Sequence, residues 1–92
     1  MYTITNYTKE RAKKLNVIVK LSSKNNYKID VFDKNGNYIT SCGNVNYPDY
    51  PTYLKTHSKE YADERRRLYH ARFKKSGSIV GSRSYYSLNL LW

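Results

Sequence analysis

The sequence predicts a small α+β domain in which a three-stranded antiparallel sheet packs on one main helix, a βββα-like order. Three observations carry that expectation. Val17, Val19 and Leu21, then Tyr27, Ile29 and Val31, recur at period two, the spacing that turns one side of a strand toward a core. The second run is followed by Asn35-Gly36, the strongest short hairpin signal because both residue types tolerate positive φ. Beyond the loops, Ser58 to Lys75 has the caps and charge order of one helix.

Taken in order, residues 1–14 are polar with weak helical spacing and read as a basic N-terminal arm or short helix, leaving 15–92 as a single α+β domain. Leu15 to Leu21 is the first strand. After a polar turn over Ser22–Asn26, Tyr27, Ile29 and Val31 alternate with Lys28 and Asp30 as a half-buried second strand. The hairpin returns as Tyr38–Cys42, and Gly43 ends it. Residues 44–58 form an extended Tyr/Pro loop, since Pro48 and Pro51 lack donors and bias Tyr47 and Tyr50 to extended backbone.

Ser58 caps the helix, Glu60, Asp63 and Glu64 suit its positive end, and Lys74 and Lys75 its negative end. At 100° per residue, Tyr61, Ala62, Leu68, Tyr69 and Phe73 share one arc, the expected buried stripe, which also takes in Arg65 and Arg72. Arg66, Arg67, His70 and Lys74 fall on the opposite, solvated face. Ser76-Gly77-Ser78 breaks the helix, and Tyr85 to Trp92 forms an apolar C-terminal tail that docks on the sheet, the helix or a partner.

Seventeen Lys and Arg against seven Asp and Glu give a net charge of +10 in 92 residues, far beyond what solubility needs, so a polyanionic partner is the first expectation. Nucleic acid, DNA foremost, fits best. Lys13, Lys14, Lys20, Lys24 and Lys28 in the basic 9–28 segment, with Arg66, Arg67, His70 and Lys74 on the helix, are its predicted contacts. An exposed sheet face bearing Ile18, Lys20, Lys28, Asp30 and Phe32 matches the way small βββα modules enter the major groove. Guanidinium groups in an apolar arc need partners, so Arg65 and Arg72 either bond Asp49, loop carbonyls or the Trp92 carboxylate, or form an internal anion site.

Other chemistry finds little footing. The single Cys42 excludes an internal disulfide and, without a histidine cluster, argues against structural zinc. His57 and His70 sit in no motif with a nucleophile, and neither paired carboxylates nor a Gly-rich phosphate loop occurs. The expectation is a non-enzymatic protein with no cofactor, no metal, no small-molecule substrate and no membrane partner. No apolar span of about 20 residues and no secretory leader is present, which predicts a soluble protein of the cell interior that is not secreted. Eleven tyrosines offer stacking faces that carry a hydroxyl. They open an alternative in which Tyr50, Tyr53, Leu91 and Trp92 dock a minor capsid or cement protein onto larger acidic coat proteins.

Several elements of residues 27–92 together resemble a family of small basic uncharacterised proteins of giant nucleocytoplasmic large DNA viruses, relatives of mimiviruses and chlorella viruses. These are Tyr27-Lys28 and Phe32, Gly43, Tyr47-Pro48-Asp49-Tyr50-Pro51-Thr52-Tyr53, Arg65-Arg66 with Tyr69 and Arg72, and Ser84-Tyr85 with Leu91-Trp92. Relatives tend to carry Arg-His where this chain has Arg72-Phe73. The resemblance implies a viral origin and a place in the virion, or in the host cytoplasm, viral factory or nucleus. It carries no activity onto particular residues.

Overall fold

The computed structural model of the chain describes residues 2–92. A three-stranded antiparallel sheet and four helices are present among the described residues, in the order α1 (Asn6–Leu15), β1 (Val17–Leu21), β2 (Tyr27–Asp33), β3 (Tyr38–Asn44), α2 (Tyr50–Thr56), α3 (Lys59–Gly77) and α4 (Arg83–Leu90). The α+β class and the three strands follow the sequence reading. The single main helix becomes four.

Helix α1 forms because the Thr5 hydroxyl accepts from the Thr8 N–H at its start, while Asn16, left-handed at φ 62°, returns its own N–H to Ala12 and Lys13 at its end. Thr8 and Ala12, one turn apart, are buried, and the Thr8 hydroxyl donates to the Leu90 carbonyl at 2.9 Å. The N-terminal segment, expected as an arm or a short helix, is thus a helix joined to the end of α4 by this bond. Asn16 also delays β1 by two residues relative to the expected start at Leu15.

In the sheet, β2 is central, with Val31 opposite Val19 and Ile29 opposite both Leu21 and Cys42. Ile29, Val31 and Cys42 are fully buried. The β2–β3 turn differs from a two-residue Asn-Gly turn. Asp33 accepts from the Asn35 and Asn37 N–H groups, and Gly36, not Asn35, takes positive φ at 89°. This is a three-residue loop with a left-handed glycine, and the register shifts at Val31/Phe32. Gly43 does not end β3 but lies within it at φ 80°, where a Cβ would stand 2.6 Å from Leu91 Cδ1.

Two helices occupy segments expected to be irregular. Asp49 caps α2 by accepting from Thr52 N–H at 3.1 Å and Thr52 Oγ1 at 2.7 Å. Pro51, expected to hold Tyr50 in extended backbone within a loop, sits in the first turn of α2, where its missing N–H has no helical partner to lose. Ser82 caps α4 through the Tyr85 N–H, so the apolar tail is a helix, and Leu90, Leu91 and Trp92 lie in the core. Helices α1 and α4 pack on the sheet, whereas α3, the longest, packs on α2 and α4. The radius of gyration is 12.6 Å, close to the ~12 Å of a folded chain this long. No helix among the described residues is long and apolar enough to cross a membrane.

Helix α3 is rotated from its expected facing. Up to a kink at Phe73 (φ −106°, ψ 15°), Ala62 is buried and Arg66, Tyr69 and Phe73 are half-buried, a run of four- and three-residue steps that defines one face, and beyond the kink Gly77 is buried. Tyr61 and Leu68, each 43% exposed, lie outside the core, as do Arg65 and Arg72. Shape decides this. Any Cβ at Gly77 would collide with Leu88 Cδ1, so α4 approaches closely there. The Tyr69 ring stacks on Trp92 at 4.3 Å and its hydroxyl meets Ser87 Oγ at 2.9 Å.

Candidate functional site

The exposed surface is built around cations with few counter-charges. Among the described residues, four ion pairs occur: Lys13–Glu10, Lys28–Asp49, Lys59–Asp63 and Arg67–Glu64. The remaining Lys and Arg side chains, out of 17, have no carboxylate within 4.0 Å. Lys13 and Lys14 stand exposed on the last turn of α1, which the helix dipole favours. Lys74 holds the equivalent place on α3.

Lys28 departs from its predicted role. Its side chain is 5% exposed and its ammonium meets Asp49 Oδ2 at 3.0 Å. Asp49 also accepts from the Tyr2 hydroxyl at 3.3 Å. This pair ties β2 to the α2 cap and is closed to any ligand. Burial and the Asp49 charge push the Tyr2 phenol well above its usual range. Asp49 thus bonds Lys28 and Tyr2, and neither Arg65 nor Arg72.

On β1 and the β1–β2 turn, Lys20 and Lys24 remain exposed, each against an aromatic ring: Lys20 is 5.4 Å from the Phe32 centroid and Lys24 4.6 Å from that of Tyr38. Behind them runs a polar chain. Lys24 Nζ donates to the Tyr38 hydroxyl at 2.9 Å, that oxygen lies 2.7 Å from Ser41 Oγ, and Ser41 donates to Asp30 at 2.6 Å. Burial alone would raise the Asp30 carboxyl, but hydrogen bonds from Ser22 and Ser41 outweigh it and hold the group below its ordinary value. The sheet face therefore carries two usable lysines and a fixed negative charge, a weaker polyanion surface than the sequence implies.

The α3 residues divide differently from their predicted roles. Arg66, expected in solvent, is half-buried with its guanidinium 4.7 Å from the Tyr50 ring centroid. His70 is half-buried with Nε2 enclosed and unbonded. Arg67 is exposed and bonded to Glu64. Arg65 and Arg72, expected inside, are exposed and lean over Tyr53 and Phe73 at 6.0 and 5.2 Å.

Tyr50, Tyr53, Leu91 and Trp92, the predicted docking anchors, are all core residues of this chain. Tyr50 donates to Asp63 at 2.8 Å. The side chain that stands out instead is Tyr47, 68% exposed on the β3–α2 loop. Sequence reasoning also missed Arg11 and Arg83, which bond the backbone carbonyls of Asn89 and Ser41. Nothing in local sequence distinguishes them.

Cys42 is buried, and burial pushes its thiol up to about 12, so it holds its proton at neutral pH. Among the described residues no group of three or more His, Cys, Asp or Glu is placed to hold a metal ion. What the surface can do chemically is bind anions and stack on planar groups. Comparison with protein-family models, curated proteins and solved structures finds no match for this chain.

Proposed function

We propose that this chain is a non-enzymatic nucleic-acid-binding protein. The observation that supports this reading is the scarcity of counter-charge: with four ion pairs among the described residues for 17 Lys and Arg side chains, most cations stand free to displace the counterions of a phosphate backbone. Lys13, Lys14, Lys20, Lys24 and Lys74 serve as phosphate contacts spread over α1, the sheet and α3, joined by Arg65 and Arg72. Such contacts position a strand without reading its sequence. The setting proposed with it, on the resemblance to giant-virus proteins, is the virion or the infected-cell interior. Docking on acidic coat proteins has less support, because its four aromatic and aliphatic anchors are spent on this chain's own core.

Charge reversal tests the reading. Lys20→Glu with Lys74→Glu changes two exposed side chains that pair with no carboxylate, so the melting temperature stays within a few degrees, as for ordinary surface substitutions. Affinity for a short labelled nucleic acid falls about tenfold or more near 150 mM salt. Unchanged affinity in a folded double variant contradicts the proposal.

A further inference from the structure

The sequence places arginine and tyrosine together without saying where they meet. In the structure they meet in one groove of about 520 Å³ between the β3–α2 loop and α3, within the ~300–1,000 Å³ range of ligand sites. Tyr47 forms one wall, 68% exposed, and Leu68 opens onto it at 43% exposed. Phe73 and the edge of the Tyr69–Trp92 stack line the interior. Arg65 and Arg72 stand along the rim, both exposed and both without a carboxylate partner among the described residues.

From this groove we infer a single-stranded nucleic-acid site, an inference that rests on the nucleic-acid reading above and names the form of nucleic acid bound. Unpaired bases present flat apolar faces that stack on aromatic side chains, while the strand's phosphates run along a basic groove. Both requirements coincide here with no carboxylate beside them among the described residues, whereas at the sheet Lys20 and Lys24 stand against Phe32 and Tyr38 beside the negative charge of Asp30, and Lys28 is sealed against Asp49. Arg65 and Arg72 are seven residues apart on one helix, roughly 10 Å along its axis, about three stacked nucleotides at ~3.4 Å each. The planar fork of each arginine suits a phosphate oxygen pair. Tyr47 takes a splayed base against the groove, and the aliphatic Leu68 adds sequence-tolerant contact between the two arginines. A stacked duplex has its base faces occupied and gains only the charge term.

Trp92 is the only tryptophan and lines this groove, so its fluorescence reports occupancy. The test titrates the full chain with a short oligothymidylate and with a mixed-sequence duplex of equal length at about 150 mM salt. Alongside it run Tyr47→Ala, Arg65→Gln/Arg72→Gln, and the charge-matched control Lys9→Gln/Lys34→Gln, two exposed lysines outside the proposed contacts. Expected is saturable quenching of Trp92 by the oligothymidylate, at least fivefold weaker in Tyr47→Ala with little change for the duplex. The Arg65/Arg72 variant loses tenfold or more on the single strand, and the Lys9/Lys34 variant loses much less. Equal losses in the two double variants, or an unaffected Tyr47→Ala, overturn the groove assignment. Tight duplex binding without oligothymidylate binding overturns it while leaving the broader function standing, whereas no binding to either nucleic acid overturns both.

Discussion

Lys28 shows how a residue's position in the sequence can mislead about its role. It belongs to the most basic segment of the chain, yet it is held at 3.0 Å from Asp49 with both side chains buried. Removing one member of a buried pair strands the other, which costs about 3–5 kcal/mol, most of it desolvation of the abandoned charge. The two members are not equivalent. Asp49 retains Tyr2 and Thr52 as donors when Lys28 is gone, whereas Lys28 has Asp49 as its only carboxylate. Asp49→Asn therefore lowers urea-derived stability by about 3 kcal/mol, and Lys28→Met by clearly less. Equal losses, or a larger one for Lys28→Met, contradict this account. The pairing was not legible in the sequence because 21 residues and a strand-to-helix crossing separate the partners.

At the scale of elements, the strands were legible and the short helices were not. Period-two alternation in Val17–Leu21 and Tyr27–Val31 is strong local information, and the structure places both strands there. Helices α2 and α4 are only 7 and 8 residues long, too short to form alone. They exist because Asp49 and Ser82 cap them and because Tyr53 and Leu90 bury against neighbouring elements. The facing of α3 was misread because hydropathy put Leu68 inside, while close packing at Gly77 and the Arg66–Tyr50 contact turn that face outward. The correction has a direct check. Leu68→Asp changes stability by no more than about 0.5 kcal/mol, as at other surface positions. Ala62→Asp, which introduces a charge at a position 0% exposed, prevents folding or costs several kcal/mol. Thermal melts of the two variants that agree within a degree refute the assigned face.

Over the whole molecule, charge was the most legible property and its arrangement the least. The sequence contains the +10 excess, but not that Arg65 and Arg72 stand free while Arg66 and Lys28 are drawn inward. The same imbalance governs acid stability. Asp30, Asp33 and Asp63 lie below their ordinary 3.8 and Glu64 below 4.5. Folded groups with lowered values stabilise the fold fully above their unfolded values, and that contribution is lost as pH falls through the folded ones. Neutralising the seven carboxylates also leaves 17 Lys and Arg unopposed. Urea midpoints are thus level from about pH 7 to 5 and drop steeply below about pH 4. Asp30→Asn, which removes the buried member of this group, flattens the drop. A midpoint that rises on acidification contradicts the assignment.

The central claim, that free cations on this surface bind a phosphate backbone, is tested most directly by the salt dependence of affinity. Fluorescence anisotropy with a short labelled nucleic acid, across about 50 to 300 mM monovalent salt, yields the slope of log K against log salt, which counts the phosphates neutralised. The account predicts a slope of about −4 or steeper, with binding that survives near 150 mM. A slope shallower than about −2, or binding that vanishes by about 100 mM, would contradict it.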